Sequence, residues 1–339
     1  MFRDFLNQEI AIDLGTANTI IYHNDKVVVD EPSIVAIDKI TNKVIAIGKA
    51  AQMMQGKEHK HIETIRPLKD GVIADFQAAE EMIKGMIKMI FPNRRIFAPS
   101  LKMMICIPSG ITEVEKRAVR DSAEHSGAKE VYMIHEPMAA ALGMGIDVEA
   151  PEGNMIIDIG GGTTEIAIIS LGGIVCDKSI RIAGDEFNAD IEEFVRRQHN
   201  LQIAERSAER LKIEVGSATV ELENPPPDYP VRGRDTLSGL PKEVYVSYSE
   251  IAHCLEKSIS KIEEAIITAL EMSPPELAAD IYQKGIYMSG GGSLLRGLDQ
   301  RISLKTKLTV HVCEDPLRAV ARGTYIALKN HRKYKFIMQ

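Results

Sequence analysis

The sequence lacks the features that mark secreted, metal-cluster and membrane-spanning proteins. Its four cysteines, Cys106, Cys176, Cys254 and Cys313, lie far apart, with no Cys-x-x-Cys pair and no histidines nearby at metal-ligand spacing. This usage fits a reduced, cytoplasmic compartment. No apolar run reaches the ~18 residues of a spanning helix, and the N-terminus has no signal-peptide pattern. We therefore expect a chain that is neither secreted nor integral to a membrane.

An excess of positive charge is also missing. Lys and Arg total 41 against 48 Asp and Glu, which gives a net charge of −7 and removes the main electrostatic driving force for binding nucleic acid. The chain has 339 residues, 45% of them hydrophobic, which is more than one compact core usually holds. The composition favours a two-domain soluble protein with no nucleic-acid partner.

Two stretches of the chain share one construction. "IAIDLGTANTIIY", from Ile10 to Tyr22, contains an apolar strand, an Asp, a glycine turn carrying Thr and a second apolar strand. "DIGGGTTEIAIIS", from Asp158 to Ser170, follows the same order. A further strand follows in each half, with hairpin turns predicted at Asn24-Asp25 and Gly172-Gly173. Each half is thus predicted to open with an antiparallel meander.

The correspondence continues downstream of the two meanders. "KMMICIPSGITEVEKRAV" and "KGIYMSGGGSLLRGLDQRI" both have the pattern strand, glycine loop, helix, and Thr112 with Glu115 predicts a helix-opening capping box. A later strand in each half ends at an acid-proline pair, Glu136-Pro137 or Asp315-Pro316, and a helix begins there. The pattern indicates a duplicated β-β-β-α-β-α-β-α unit.

The two helices that follow these pairs carry small residues at helical spacing. These are Ala139, Ala140 and Gly143 in the first helix and Ala319 and Gly323 in the second. They are compatible with ordinary close packing within one lobe. They are equally compatible with helices that cross at the seam between two lobes and act as a hinge.

The glycine turns have features of a phosphate-binding site. Without a Cβ, Gly160, Gly161 and Gly162 can bring backbone N–H groups against a phosphate chain, and the turn from Gly15 to Thr19 would do the same from the opposite wall. Asp13 and Asp158 would be hard oxygen ligands for Mg²⁺ through water. A single turn of this kind is typical of a plain hairpin. Two such turns at equivalent positions in the two halves, with a third glycine loop in "SGGGS" (Ser289 to Ser293), favour a nucleotide cleft.

Two other catalytic motifs are absent. "HEPMA" at His135 begins like a metalloprotease helix, but Ala139 stands at the position of the second histidine and Pro137 breaks the required turn. The sequence contains no G-x-x-x-x-G-K-[ST] motif, so amides and a metal would have to replace the P-loop lysine.

A duplicated α/β unit with acid-and-glycine turns facing a shared cleft is the plan of the actin-like ATPases. More specific motifs, "DLGTANT", "IHEPMAAALG", "DIGGGTTEIAIIS", "SIRIAGDEFNADI", "AERLKIEVGSA", "SGGGSLLRGL" and "PLRAVARGTYIAL", together resemble the bacterial MreB family of cell-shape proteins over nearly the whole chain. The expected fold is a duplicated actin-like (ribonuclease H-like) ATPase fold, with two lobes around a nucleotide cleft.

The resemblance also implies lobe limits. The first lobe would span residues 1–145, with subdomain IB at about 33–66, and would be completed by a C-terminal helix at 316–330. The second lobe would span 146–315, with subdomain IIB at about 185–248, and residues 331–339 would form a tail. The proline-rich segment from Glu223 to Asp235 is predicted to be a turn-rich surface excursion.

The resemblance implies ATP as the nucleotide, with Mg²⁺, and a set of site residues. Glu136 ends a strand before a helix and is the candidate for positioning the attacking water, with helix capping as its alternative role. Thr163 would fix the water or the γ-phosphate. Glu209 and Lys212 share a helix face and would contact the ribose and adenine edge, with a solvated ion pair as the alternative. The expected nucleotide-binding residues are Asp13, Gly15, Thr16, Ala17, Asn18, Thr19, Gly160, Gly161, Gly162, Thr163, Glu209, Lys212, Gly290, Gly291, Gly292 and Leu294.

The resemblance further implies partners. The chain would assemble with itself, in protofilaments that pair, and with other cell-shape and cell-wall synthesis proteins, at the inner face of the cell membrane. Phe2, Phe5 and Leu6 near the N-terminus, with Ile96 and Phe97 beside Arg94 and Arg95, suit the surface of an anionic bilayer. Packing of Phe5 and Leu6 on the first strand, and of Phe97 in the core, is the alternative.

Two other functions of the same fold remain open in the sequence. A small-molecule kinase would need a substrate pocket with an Asp base, and a chaperone ATPase would need a peptide-binding domain after the nucleotide unit. Only "HRKYKFIMQ" follows the closing helix, and no candidate insertion for a substrate pocket is present. A filament needs neither part, so the sequence favours a cytoskeletal ATPase.

Overall fold

The computed structural model describes residues 7–92 and 100–335 of the chain. None of the helices in these ranges combines the length and the apolar character that crossing a bilayer requires.

The elements of the first half begin with three strands and end with a short helix. In chain order they are β1 (Asn7–Leu14), β2 (Asn18–His23), β3 (Lys26–Pro32), β4 (Val35–Asp38), β5 (Lys43–Ile47), α1 (Lys49–Gln52), β6 (Ile62–Ile65), β7 (Leu68–Lys69), β8 (Val72–Ile73), α2 (Phe76–Ile90), β9 (Ser100–Ile107), α3 (Glu113–His125), β10 (Glu130–His135) and α4 (Glu136–Gly143).

The second half follows the same opening order, with longer insertions. Its elements are β11 (Asn154–Ile159), β12 (Thr164–Ser170), β13 (Gly173–Ile180), α5 (Gly184–His199), β14 (Leu201–Gln202), α6 (Glu205–Val215), β15 (Tyr229–Asp235), β16 (Pro241–Val246), α7 (Tyr248–Glu271), α8 (Pro275–Lys284), β17 (Ile286–Ser289), α9 (Leu298–Thr306), β18 (Val310–Val312) and α10 (Ala319–Lys329).

The two main sheets have the same topology. One has the order β10-β9-β1-β2-β3 and the other the order β18-β17-β11-β12-β13. In both, the first three strands of the half pair antiparallel and the remaining pairs are parallel. The predicted meanders and the predicted duplication are therefore confirmed. Every residue of β11 and β12 is buried, because helices cover both faces of the sheet at this point.

Local signals account for several element ends. The predicted capping box of Thr112 and Glu115 opens α3, and a second box at Ser247 and Glu250 opens α7. Asn24 and Asp25 both have positive φ, at 50° and 62°, which is the backbone that a two-residue hairpin requires.

The structure corrects three local predictions. The second hairpin turns at Leu171 and Gly172, which have positive φ, while Gly173 already belongs to β13; the paired glycines suggested the wrong register. The segment from Glu223 to Asp235 is only partly a turn-rich excursion, because its second part is β15, paired with β14 and β16. The closing helix begins at Ala319, after a 3-10 turn at Pro316–Arg318.

Helices α4 and α10 lie between the two main sheets. One hydrophobic cluster joins Ala11 of the first sheet, Ala139 of α4, Ile156 of the second sheet and Leu328 of α10. A Cβ on Gly143 would lie 1.9 Å from the carbonyl oxygen of Ala319. Two helix backbones can approach this closely only when both carry small residues. The two helices therefore cross between the two halves of the chain. Their action as a hinge stays a prediction.

Replacing Gly323 by alanine is expected to destabilise the protein by about 1–3 kcal/mol, because overpacking forces the neighbouring atoms to move. Its Cβ would lie 1.7 Å from the carbonyl oxygen of Ala139, which belongs to the backbone and moves only with α4. Urea unfolding measures the loss. Gly173→Ala is the matched control, since the nearest atom to its Cβ lies 3.8 Å away; equal stability of the two variants would contradict the close crossing.

Candidate functional site

The two predicted glycine turns face each other across a cleft. The first, residues 15–17, joins β1 to β2, and the second, residues 160–163, joins β11 to β12. A Cβ on Gly161 would lie 2.7 Å from the Cβ of Ala17, and a Cβ on Gly162 would lie 2.7 Å from Oγ1 of Thr16. The glycines are thus required by the close approach of the two turns.

Hydrogen bonds from Ser33, which follows β3, fix the first turn. The backbone N–H of Ser33 donates to the carbonyl oxygen of Ala17 at 2.9 Å, and the Ser33 hydroxyl donates to the carbonyl oxygen of Gly15 at 2.6 Å. Thr19 is fully buried, and its Oγ1 lies 2.9 Å from Oγ of Ser33. The Thr19 side chain therefore supports the turn, while Asn18 is exposed.

The second turn is held by the start of α5. The backbone N–H groups of Gly184 and Asp185 donate to the carbonyl oxygens of Gly160 and Gly161 at 3.2 and 2.7 Å. The N–H of Gly160 donates to the carbonyl oxygen of Thr163 at 2.9 Å. Both turns are thus fixed by hydrogen bonds to their backbone atoms.

Two carboxylates lie beside the turns. Asp158, at the end of β11, is 5% exposed and accepts a 2.5 Å hydrogen bond from Ser289. Burial, and to a smaller extent the charge of Asp13, raise the pKa of Asp158 to about 7. Burial likewise raises the pKa of Asp13 to about 6, while the thiol of Cys106 donates to Asp13 at 3.2 Å. Two buried carboxylates that repel each other are stabilised when a cation binds between them.

This donor set fits Mg²⁺ delivered with a nucleotide. Among residues 7–92 and 100–335, no group of three or more His, Cys, Asp or Glu side chains could hold a metal ion by itself. Mg²⁺ keeps several waters and is bound by one or two carboxylates together with substrate phosphates. Asp13 and Asp158 would be the two carboxylates.

The two predicted catalytic residues lie in this region. Glu136 begins α4, directly after β10. Burial raises the pKa of Glu136 well above its usual range, and the charges of Glu165, Asp158 and Asp13 raise it further. Thr163 is 7% exposed and ends the second turn. A raised pKa makes the ionised carboxylate a stronger acceptor for a proton from water.

A hairpin that sequence reasoning missed completes the cleft wall. Asp70 and Gly71 form the tight turn between β7 and β8, with φ of 52° and 78°. The N–H of Gly71 donates to Oγ1 of Thr16 at 3.0 Å. A Cβ on Gly71 would lie 3.0 Å from Cγ2 of Thr163. The Asp-Gly pair in the sequence was the available signal.

A second missed feature is an ionic link between the halves, built on Arg66. Its guanidinium lies 2.5 Å from Glu205 and 3.0 Å from Asp185, both in the second half. It also donates to the carbonyl oxygen of Thr16 at 3.1 Å. This link closes one side of the cleft, and no local sequence signal indicates it.

Glu209 and Lys212 share the face of α6 that the sequence predicts. The Lys212 ammonium lies 2.6 Å from Glu209, with the two side chains 15% and 43% exposed. Lys212 also donates to the carbonyl oxygen of Gly184 at 2.9 Å, and Asn188 donates to Glu209 at 2.8 Å. The pair is therefore fixed against the start of α5, rather than being a freely solvated ion pair.

The third glycine loop lies against the second turn. A Cβ on Gly290 would lie 2.3 Å from the carbonyl oxygen of Ile159, and a Cβ on Gly292 would lie 2.2 Å from Cγ2 of Ile159. Gly291 begins a 3-10 turn that ends at Leu294, whose side chain is 55% exposed. The sequence predicts that a helix follows the loop directly, but the α-helix begins only at Leu298.

The predicted membrane contacts lie outside the described residues. They are Phe2, Phe5, Leu6, Ile96 and Phe97. Phe91, which directly follows α2, packs against the core of the first half. Its ring lies 5.2 Å from that of His23 in an edge-on contact, so Phe91 is not free to meet a lipid surface.

The chain is similar to known proteins over nearly its whole length. Residues 7–336 match the family model described as MreB/Mbl protein. The cell shape-determining protein Mbl of Bacillus subtilis is 45% identical over 96% of this chain and 97% of its own length. The cell shape-determining protein MreB of Escherichia coli is 45% identical over 97% of this chain and 95% of its own.

Solved structures agree with these relatives. MreB5 of Spiroplasma citri, bound to AMPPNP, superposes with a TM-score of 0.91 at 41% identity, covering 97% of this chain and 98% of its own; the same protein was also solved with ADP. A MamK double helical filament, at 22% identity and a TM-score of 0.79, shares the fold. The predicted actin-like fold is thereby confirmed, and the chain belongs to the MreB/Mbl protein family.

Proposed function

We propose that this chain binds and hydrolyses ATP and polymerises into membrane-associated filaments that organise cell-wall synthesis and rod shape. The observation that carries the proposal is the contact between the two acid-and-glycine turns, with Gly161 against Ala17 and with Asp13 and Asp158 beside them. Backbone amides and two carboxylates are what a triphosphate with Mg²⁺ requires. The nucleotide-bound structures of MreB5 support ATP as the ligand.

We assign the parts of the site as follows. The amides of the two turns would bind the phosphates, and Asp13 and Asp158 would hold Mg²⁺ through water. When bound, this ion neutralises charge on the phosphates and fixes their geometry. Glu136 would orient the attacking water and accept its proton, and the Thr163 hydroxyl would fix the water or the γ-phosphate.

The nucleoside would lie further along the cleft. Glu209 and Lys212 would contact the ribose and the adenine edge, opposite Gly290, Gly291, Gly292 and Leu294. The structure supports this assignment in one respect: the end of α6 adjoins the segment after the third glycine loop, because a Cβ on Gly216 would lie 2.9 Å from Cδ1 of Leu295.

We also propose the lobe limits that the resemblance implies, at residues 145 and 315. The small sheet of β4, β5 and β6 falls within the proposed subdomain IB, and the small sheet of β14, β15 and β16 falls within subdomain IIB. Helix α10 contacts β1, β2 and β9 of the first sheet, which supports its assignment to the first lobe.

A pelleting assay tests the function. The purified chain is incubated with Mg-ATP, Mg-ADP or no nucleotide, and sedimented protein and released phosphate are measured together. Nucleotide-dependent pelleting with phosphate release is expected. A chain that stays monomeric at high concentration, and forms ADP only when a small hydroxyl compound is added and becomes phosphorylated, would instead identify a kinase.

Removing the proposed anchors is expected to abolish membrane binding without preventing assembly. A few apolar side chains at ~1.5–3 kcal/mol each barely offset the cost of association, but a filament repeats the contact along its length. The variant lacks residues 1–8 and carries Phe97→Ser, and the measurement is co-flotation with anionic liposomes. If the variant floats as the parent does, the anchor lies elsewhere, and the basic segment Lys329 to Lys335 is the next candidate.

A further inference from the structure

Glu165 is a buried acid to which the proposed mechanism gives no role. It is the second residue of β12, two positions after Thr163, and its exposed fraction is 0%. A carboxylate in this position is costly unless hydrogen bonds replace its lost water. The contacts of Glu165 therefore indicate what it is retained to do.

Three donors meet this carboxylate, and they come from both halves of the chain. Oε2 accepts hydrogen bonds from the backbone N–H of Ser109 at 3.0 Å and from its hydroxyl at 2.5 Å. Oε1 accepts a hydrogen bond from the hydroxyl of Ser179 at 2.6 Å. Ser109 follows β9 in the first half, whereas Ser179 lies in β13 of the second half. Glu165 is thus a bridge between the halves at the base of the cleft.

The contact around this bridge is tight. A Cβ on Gly110 would lie 3.2 Å from the Cβ of Ser179, which is closer than most real side-chain contacts. The loop 108–110 therefore rests directly on β13, and Glu165 fixes its orientation through two hydrogen bonds to one residue.

The same loop reaches the residue next to Glu136. A ring nitrogen of His135 lies 3.3 Å from the carbonyl oxygen of Pro108, and His135 pairs with Ile107 in the parallel strand ladder. After burial, the charge of Glu165 is the largest cause that raises the pKa of Glu136. Glu165 is thus linked to Glu136 in two ways. One is the series of contacts through loop 108–110 and His135, and the other is the charge of its carboxylate.

We propose that Glu165 is a positioning residue for hydrolysis: by holding loop 108–110 of the first half against β13, it sets the place of Glu136 opposite Thr163. The proposal rests on the proposed ATPase function. It predicts that weakening the bridge lowers the rate of the chemical step and leaves nucleotide binding in place, because neither Ser109 nor Ser179 is among the predicted nucleotide-binding residues.

The test compares Glu165→Gln and Ser109→Ala with the full-length parent. Glutamine keeps the size of the side chain but removes the charge and turns one acceptor into a donor. Either the N–H of Ser109 then loses its acceptor or the hydroxyl of Ser179 must accept instead of donate. We expect kcat for phosphate release to fall about tenfold or more in Glu165→Gln, since small misplacements of catalytic groups have effects of this size. Ser109→Ala removes only one hydroxyl donor and is expected to fall less, with KM and the affinity for AMPPNP near the parent values in both variants.

Glu263→Gln is the matched control. Glu263 of α7 is also a buried acid, 6% exposed, but it pairs with Arg301 of α9 at 2.7 Å, and its replacement is expected to leave kcat unchanged. A parallel loss of thermal stability and AMPPNP affinity in Ser109→Ala would mark the bridge as merely structural, and an unchanged kcat in both bridge variants would overturn the proposal. A parent that releases no phosphate would overturn the ATPase function itself, so the two failures are distinguishable.

Discussion

The Glu136→Gln variant is expected to bind ATP as the parent does and to release phosphate about 100-fold more slowly, which is the contribution of one general base. The expectation depends on the surroundings of Glu136. Burial and three neighbouring acids raise its pKa well above the usual range, which makes it a stronger proton acceptor than an exposed glutamate. Single-turnover phosphate release, with AMPPNP affinity measured in parallel, checks the result.

Helix capping is the competing role for Glu136, and a control separates the two. Glu113 also lies in the first turn of a helix, α3, but it is exposed and away from the cleft. Loss of a first-turn acid reduces stability by about 0.3–1 kcal/mol, so Glu113→Gln should lower the melting temperature slightly and leave hydrolysis unchanged. If Glu136→Gln behaves in the same way as Glu113→Gln, its catalytic assignment is wrong.

The Asp158→Asn variant is expected to have opposite effects on ligand binding and on stability. Removing one of two carboxylates beside a triphosphate should abolish most of the Mg²⁺ dependence of nucleotide binding. The nucleotide-free protein should become more stable at neutral pH, because a shielded charge next to Asp13 is no longer present. Asp121→Asn, on the exposed face of α3, should change neither property.

The sign of the pH effect follows from the direction of the shift. The folded protein holds the Asp158 proton more tightly, with a pKa of about 7 against an ordinary value of 3.8, so it binds more protons than the unfolded chain between these values. The stability of the parent therefore falls as the pH rises from about 4 to about 7. The melting temperature of Asp158→Asn should exceed that of the parent increasingly over this interval. A constant difference, or retained Mg²⁺ dependence, would contradict the assignment.

The sequence predicts those parts of the site that depend on residues close together in the chain. The turns at Gly15 and Gly160 each combine an acid, a glycine and a second strand within a few residues, and their repetition predicts the duplicated sheets. Glu136 and the Thr112 capping box were also found, because a strand end and a helix start are short-range features.

The remaining parts depend on residues that are distant in the chain. Arg66 meets Asp185 and Glu205 only because the two halves close on each other, and nothing next to Arg66 indicates that contact. Glu165 looks like one polar residue in an apolar strand until Ser109 is brought to it. The turn at Leu171 was misplaced because a Gly-Gly pair beside it satisfies the same local rule, and the strand ladder decides between the two positions.

The most direct measurement of the central claim is a structure of the chain with Mg-AMPPNP, as a crystal or as a filament. We expect phosphates between residues 15–17 and 160–163, density for Mg²⁺ near Asp13 and Asp158, and adenine beside Glu209 and Lys212. Nucleotide bound elsewhere, for example in the groove between Leu142 and Ile326 at the far end of α4, or phosphates held without either turn, would contradict it.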